Sequence, residues 1–125
     1  MTASFLLAVI SSSAFAADPV PAKLGDCAQT QVLRVEQRLA NGTTKKPIPL
    51  SGSAVVFADG IYQVSYDQVP AIDKSKAGDP VLICLVSLPK DCPPGDNRGK
   101  VYTATNLRRL ESWTLPDSEH QCGGA

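Results

Sequence analysis

The sequence has few of the residues that catalytic sites need. Its only histidine is His120, near the end of the 125 residues, and no Gly-x-Ser-x-Gly turn is present to display a serine nucleophile. It contains no Cys-x-x-Cys pair, which excludes a thioredoxin-like redox motif. Any Ser-His-Asp or Cys-His arrangement would depend on His120, so we expect the protein not to be an enzyme and to need no cofactor.

An excess of charge and a long apolar run are also missing. Lysine and arginine together number 12, as do aspartate and glutamate, so the formal net charge is zero and nothing favours a nucleic-acid partner. No apolar run approaches the roughly 20 residues of a membrane-spanning helix. We therefore expect neither nucleic acid nor a membrane span among the interactions of this chain.

The first 16 residues have the pattern of a secretory signal peptide. They carry no charged side chain, contain the apolar core Phe5–Ile10 and end in the small-x-small sequence Ala14-Phe15-Ala16. The pattern departs from the usual one in lacking lysine or arginine near Met1. It predicts cleavage near Ala16 and a periplasmic or secreted mature protein.

Four cysteines follow this segment: Cys27, Cys84, Cys92 and Cys122. An even number in an exported chain predicts two disulfides rather than free thiols or zinc ligands. Three pairings are possible, and we favour a link between Cys84 and Cys92. The other two cysteines would then tie the ends of the domain together, Cys27 with Cys122.

The apolar run Val81–Leu88 gives the strongest strand pattern in the chain. It is bounded by Gly78-Asp79-Pro80 before it and by Pro89 after it. Eight residues with one small hydroxyl among them predict a central strand that is buried on both faces.

Residues Val55–Tyr66 predict a β-hairpin. Asp59-Gly60 is a favoured two-residue turn, because both of its positions need positive φ. This turn would place Phe57 opposite Tyr62, so that both share the buried face. Gln63 would then lie on the other face.

Weaker patterns complete the chain. Residues 30–39 fit either a strand or a helix, and we take the strand; residues 67–80 form a connection with room for a single helical turn. A second hairpin is predicted from 100–105 and 110–115 about the turn Asn106–Arg109, with Trp113 in the core.

Short strands joined by turns indicate an all-β fold. We predict a small antiparallel β-barrel of about six strands, stabilised by disulfides, with a two-sheet β-sandwich as the alternative. The length is that of one small domain. We expect an N-terminal arm at 17–29, the β domain at 30–115 and a C-terminal tail at 116–125 that a disulfide ties to the body.

Charged residues concentrate in two loops beside the second hairpin, and loops on a rigid scaffold are common binding sites. Prolines stiffen the Pro89–Gly99 loop. We expect both loops at one end of the hairpin, where they would form a rim. Its candidate binding residues are Lys90, Asp91, Asp96, Asn97, Arg98, Lys100, Arg108 and Arg109. An ordinary solvated charged face is the plainer interpretation of the same residues.

A metal ion or small ligand is the alternative to a protein partner. His120 and Cys122 form a His-x-Cys pair, and Asp91 and Asp96 place oxygen ligands in the stiff loop. Zinc needs more ligands than the pair supplies, and the aspartates do not follow the EF-hand pattern, so we predict no metal site. The alternative function is a ligand in the barrel mouth, contacted by His120, Asp91 and Asp96.

Three segments resemble small uncharacterised exported bacterial proteins with a four-cysteine framework: 78–81, 87–99 and 113–125, the last with its Ser-x-His-x-Cys-Gly-Gly-Ala ending. The resemblance implies export and a cysteine framework, and no activity. We therefore expect a periplasmic or secreted protein that binds a protein or a cell-envelope component. One form of this function is enzyme inhibition, by fold-level analogy with periplasmic lysozyme inhibitors, which are also small exported β-barrels.

Overall fold

The computed structural model describes residue 4, residues 6–10 and residues 18–124. The predicted cleavage site near Ala16 lies outside the described residues. Within the part of the chain that is described, no helix is long and apolar enough to cross a membrane.

The described residues form six strands and one helical turn. In chain order they are β1 (Cys27–Gln37), β2 (Ser53–Phe57), β3 (Tyr62–Val64), α1 (Pro70–Asp73), β4 (Pro80–Ser87), β5 (Val101–Asn106) and β6 (Glu111–Pro116). All six strands form one antiparallel sheet in the order β3-β2-β1-β4-β5-β6, which curls into a half-barrel. The predicted all-β, disulfide-stabilised barrel type of fold is confirmed.

β1 pairs with β4 along its first half and with β2 along its second half. Residues 27–31 pair with β4, whereas Val32 and residues 34–37 pair with β2. The register with β2 shifts between Val32 and Arg34, a β-bulge that adds one residue and bends the strand. Side chains point inward at alternate positions up to Val32 and resume one position out of step, at Val35.

β4 lies in the middle of the sheet, as predicted, but only one of its faces is buried. Val81, Ile83 and Leu85 have no solvent exposure, whereas Val86 is 47% exposed. The prediction that β4 is buried on both faces is wrong, because a single sheet curls around the core and its outer face stays in water.

The β2–β3 hairpin forms where Asp59-Gly60 predicts it, but in a different register. Val56 lies opposite Tyr62, so the loop contains three residues, 58–60, rather than two. Gly60 has φ 91°, as the last position of such a loop requires. The predicted register is wrong by one residue, and this slip turns every β3 side chain to the other face.

The slip places Gln63 inside the half-barrel, where it is fully buried. Its Nε2 donates to the carbonyl oxygens of Tyr102 at 2.8 Å and Leu115 at 3.0 Å, and its Oε1 accepts from Trp113 Nε1 at 2.8 Å. β3 and β6 are the two end strands of the sheet and are not paired with each other. The side-chain amide of Gln63 therefore joins the two sides of the half-barrel across the opening between β3 and β6.

The core surrounds this amide with apolar side chains. Trp113, on β6 opposite Ala104, is 6% exposed, which confirms its predicted place. α1 is the predicted helical turn, and it buries Ile72 where it packs against β1, β2 and β6. The remaining members of the buried cluster are Ala28, Val32, Val55, Phe57, Ile61, Val81, Ile83, Leu85 and Tyr102.

Two disulfides are present, as predicted, but the favoured pairing is wrong. The bonds join Cys27 to Cys84 and Cys92 to Cys122. Cys27 and Cys84 lie directly opposite each other on adjacent strands, with their Cα atoms 4.0 Å apart. These two cysteines are far apart in sequence, and they lie opposite each other only because β1 and β4 are adjacent strands.

Candidate functional site

The structure separates the residues that were predicted to form one binding rim. The loop at 88–100 precedes β5, and the turn at 107–110 follows it. Six strand residues span about 20 Å, so these two loops lie at opposite ends of β5. The expectation that they meet at one end is wrong, because the strand between them carries the chain across the sheet.

Arg108 is committed to an internal contact. Its Nε and Nη2 donate to the two carboxylate oxygens of Asp79 at 2.5 Å and 3.0 Å, and Asp79 is only 5% exposed. Asn106 Nδ2 and the Lys76 N–H add donors to the same carboxylate, each at 2.9 Å. The Arg108 hydrogen bonds, with help from Asn106, hold the pKa of Asp79 well below its usual range. This network fastens the segment before β4 to the β5–β6 turn.

Arg98 is also paired, at the other end of β5. Its Nε and Nη2 donate to the two oxygens of Asp96 at 2.9 Å each, and the Gly123 N–H donates to the same carboxylate at 3.0 Å. These donors hold the pKa of Asp96 well below its usual range. The Gly123 hydrogen bond to Asp96 and the Cys92–Cys122 disulfide together join the 88–100 loop to the C-terminal tail.

The other predicted rim residues are more loosely placed. Arg109 contacts Glu111 at 3.3 Å. Lys90, Asp91 and Asn97 are exposed and Lys100 is half-buried. Across residues 18–124 neither of the two lysines takes part in an ion pair.

The residues of the alternative ligand set do not form a metal-binding group in the described part of the chain. His120 is exposed, and its main-chain N–H donates to Ser118 Oγ at 3.3 Å. Among the described residues, no three histidine, cysteine, aspartate or glutamate side chains are placed to hold a metal ion. Asp91, Asp96 and His120 therefore form no such group.

A cleft of about 630 Å³ lies beside the second half of β1. It is bounded by β1, by α1 and by the excursion that follows β1, which a bridge closes between Ala40 and Pro47. Ligand pockets usually enclose roughly 300–1,000 Å³, so the cleft has a suitable size. Its lining residues are Val35, Glu36, Gln37, Leu39, Ala40, Lys45, Pro47 and Asp73.

The half of β1 that lines the cleft has one side that does not bond to β2. In an antiparallel pair, residues alternate between bonding to the neighbouring strand and pointing their main-chain groups away from it. Arg38 N–H donates to Gly52 O at 2.8 Å, so Glu36 is the next residue back that bonds to β2. The main-chain N–H and C=O groups of Val35 and Gln37 therefore point away from β2, and both residues line the cleft.

No strand in the described part of the chain pairs with this side of β1 after Val32. β4 pairs with β1 only as far as Gln31, and Val32 then exchanges two hydrogen bonds with the segment before β4, donating to Asp79 O at 2.9 Å and accepting from the Gly78 N–H at 2.8 Å. Beyond it, no described residue bonds to the outward main-chain groups of Val35 and Gln37. We call these groups the open β1 edge. Gln37 Oε1 beside them is buried without a hydrogen-bond partner in the same part of the chain.

A second pocket, of about 320 Å³, lies where the β2–β3 loop meets the start of β5 and the end of β6. We call it the mouth pocket, and its lining residues are Val20, Asp59, Gly60, Ile61, Tyr62, Tyr102 and Asp117. Asp59 Oδ1 accepts from the Ile61 N–H at 3.1 Å, and Asp117 Oδ1 accepts from the Gly99 N–H at 2.8 Å. Burial, together with the charges of Asp117 and Asp59, raises the pKa of Tyr102. The pocket thus has two carboxylates close to the buried side chain of Tyr102.

Comparison with protein-family models, with curated proteins and with solved structures found no match. The interpretation of both pockets therefore depends on their own geometry.

The sequence prediction missed the residues that line these pockets. Val35 and Gln37 carry no local signal, because their exposure depends on where β1 leaves β4. Asp59 has a sufficient explanation as a turn residue, and Asp117 follows a strand with no motif around it. The one available hint is that both aspartates lie within two residues of a strand end, where the mouth of a barrel lies.

Proposed function

We propose that this chain is an exported binding protein that takes an extended segment of a partner polypeptide along the open β1 edge. The observation that carries the proposal is the pair of residues Val35 and Gln37, which line a cleft of about 630 Å³ and whose main-chain groups point away from β2 without a partner among the described residues. A strand edge of this kind is completed by another extended chain. Such a role needs no catalytic group and suits an inhibitor-like module.

Two observations support export. The apolar side chains of residues 6–10 are not packed into the fold, with Leu6 94% and Ile10 88% exposed. A leader that is later removed has no reason to contribute to the core. Both disulfides also fit an oxidising compartment such as the periplasm.

The cleft indicates what the partner segment contains. Val35, Leu39 and Pro47 provide apolar walls, while Glu36, Asp73 and Lys45 stand around them. An added strand would place alternate side chains into the cleft and leave the others in solvent. We therefore expect a segment with apolar residues at alternate positions.

The test uses heptapeptides selected from a random display library on the disulfide-intact chain without residues 1–16. Strand addition predicts that the selected peptide slows hydrogen exchange at the amides of Val35 and Gln37. Methylation of alternate peptide nitrogens should weaken binding at least about tenfold, because each removes a main-chain donor. Methylation at the intervening positions should have little effect.

Two proline variants locate the edge on the protein. Val35→Pro removes an outward N–H and leaves the β2 ladder intact, so the dissociation constant should rise about tenfold. Thr114→Pro is the matched control, because the main-chain N–H of Thr114 likewise points away from the neighbouring strand, on β6 at the end of the same sheet. Failure to select any peptide, protection confined to other amides, or indifference to peptide methylation would each refute strand addition.

A second candidate function, binding of a small ligand at the mouth of the half-barrel, is favoured by the mouth pocket alone. It uses Asp59 and Asp117 in place of the residues expected from sequence.

A further inference from the structure

The open β1 edge is short, because the residues that bound it have already used their main-chain groups. At one end Val32 exchanges two hydrogen bonds with the segment before β4. At the other end the Leu39 N–H donates to Ser51 Oγ at 3.1 Å, and the Leu39 carbonyl oxygen accepts from the Ile48 N–H at 2.9 Å. A strand added to the edge between them makes about four main-chain hydrogen bonds across about three of its own residues. The edge therefore suits a short segment of a partner.

Selective binding of so short a segment needs a side-chain contact as well. Main-chain hydrogen bonds do not distinguish one sequence from another, and a few of them contribute little, because each replaces a hydrogen bond to water. The charged side chains that line the cleft are Glu36, Asp73 and Lys45.

Two of these three charged groups are already engaged within the fold. Glu36 pairs with Arg34. The two carboxylate oxygens of Asp73 accept from Ser53 Oγ at 2.6 Å and from Gln68 Nε2 at 3.1 Å. Across residues 18–124, Lys45 takes part in no ion pair. Its positive charge is therefore the one in the lining that is left for a ligand.

The backbone under Lys45 is fixed in an unusual conformation. Asn41 Oδ1 accepts from the N–H groups of Thr43 and Thr44 at 2.9 Å each, and the Asn41 carbonyl oxygen accepts from the Lys45 N–H at 2.9 Å. Lys45 has φ 61°, in the left-handed region where glycine or asparagine is the usual residue. Stability of the turn thus gives no reason for a lysine at this position, whereas a charged ligand in the cleft does.

We propose that the segment bound at the open β1 edge is about three to five residues long and carries a carboxylate that Lys45 binds. This inference rests on the proposed function and names the chemistry of the partner. The Lys45 ammonium group donates to the carboxylate, and the apolar walls of the cleft at Val35 and Leu39 take a neighbouring apolar side chain. A C-terminal carboxylate and the side chain of an aspartate or glutamate present the same chemistry. Lys45 is therefore a specificity-determining residue.

The test compares a charged peptide with two neutral twins, by fluorescence anisotropy on the disulfide-intact chain without residues 1–16. The charged peptide is a pentapeptide selected from a random library whose C-termini are free. One twin has a C-terminal amide, and the other has each acidic side chain replaced by its amide. At least one twin should bind about fivefold more weakly, which is the contribution of a partly exposed ion pair. Weaker binding of the first twin identifies a chain end as the ligand, and weaker binding of the second identifies an acidic side chain.

Two lysine variants assign the effect to one side chain. Lys45→Met removes the ammonium group and keeps a flexible side chain of similar length. It should raise the dissociation constant of the charged peptide about fivefold and leave that of the weaker twin unchanged. Lys46→Met is the matched control, because Lys46 is the next residue of the same excursion and does not line the cleft. It should change neither dissociation constant.

Failure of this inference is distinguishable from failure of strand addition. Binding of both twins as tightly as the charged peptide, or an effect of Lys45→Met no larger than that of Lys46→Met, would overturn the carboxylate contact. Tighter binding by more than about fivefold after three residues are added to each end of the peptide would overturn the limit on length. In each case slower hydrogen exchange at Val35 and Gln37 would still support strand addition, and its absence would refute both proposals together.

Discussion

Replacing Gln63 with leucine would show whether one buried amide holds the half-barrel together. Leucine has a similar volume but can neither donate nor accept, so Trp113 Nε1 would lose its acceptor inside the core. Leaving a buried donor unpaired costs about 1–3 kcal/mol. The carbonyls of Tyr102 and Leu115 would each lose a donor as well, a smaller cost because both residues also belong to the β5–β6 ladder. We expect the free energy of unfolding to fall by about 2–3 kcal/mol.

Urea unfolding followed by far-ultraviolet circular dichroism, with both disulfides intact, measures this loss. With an m-value of about 1.5 kcal/mol per M, the midpoint should fall by roughly 1.5 M. Gln29→Leu is the matched control, because it makes the same change at an exposed position of β1. Surface changes of this kind stay within about 0.5 kcal/mol.

A double-mutant cycle with Trp113→Phe isolates the hydrogen bond between the two side chains. Once Trp113 no longer carries an N–H, Gln63→Leu leaves no donor unpaired at that point. The two changes together should therefore cost at least about 1 kcal/mol less than the sum of their separate effects. Strict additivity, or a Gln63→Leu variant as stable as the native chain, would refute the assignment of the amide as the link across the opening.

Two further predictions concern the backbone and the buried acid. Gly52→Ala should lower the free energy of unfolding in urea by more than about 2 kcal/mol, because Gly52 has φ 119° and an added Cβ would lie 2.1 Å from Ser65 O. Gly42→Ala is the control and should be nearly neutral, because a Cβ there meets nothing within 4 Å. Equal losses for the two variants would contradict this explanation. Because the pKa of Asp79 is lowered by folding, its stabilising contribution is present above about pH 4 and is lost as the pH falls below that value. Asp79→Asn should therefore be destabilising at pH 7, with a difference from the native chain that shrinks towards pH 2; a difference independent of pH would contradict this.

Local sequence patterns predicted the strands and turns of this fold better than they predicted the register in which the strands pair. The turn at Asp59-Gly60, the helical turn before β4 and the burial of Trp113 all follow from short-range signals. The register of β3 does not, because Gly60 satisfies a two-residue and a three-residue loop equally well. The sequence favoured placing Tyr62 with Phe57, whereas the half-barrel gains a connection across its opening by burying Gln63.

Features that depend on which strands become neighbours were beyond the sequence. The disulfide between Cys27 and Cys84 requires β1 to lie beside β4. The open β1 edge requires the same strand to leave β4 at a bulge five residues later. Neither event has a local marker, since the residues involved have ordinary strand composition. The predicted binding rim failed for a related reason, because nearness in sequence places two loops at opposite ends of a strand.

The connectivity of the disulfides bears on how the chain acquires them. The first cysteine bonds to the second and the third to the fourth, Cys27 to Cys84 and Cys92 to Cys122. If the chain enters an oxidising compartment from its N-terminus, Cys27 meets Cys84 before the other two cysteines have emerged, and once that bond has formed Cys92 and Cys122 are the only thiols left. Oxidation in order of arrival thus yields the correct bonds, and slow thiol-disulfide reshuffling is not required.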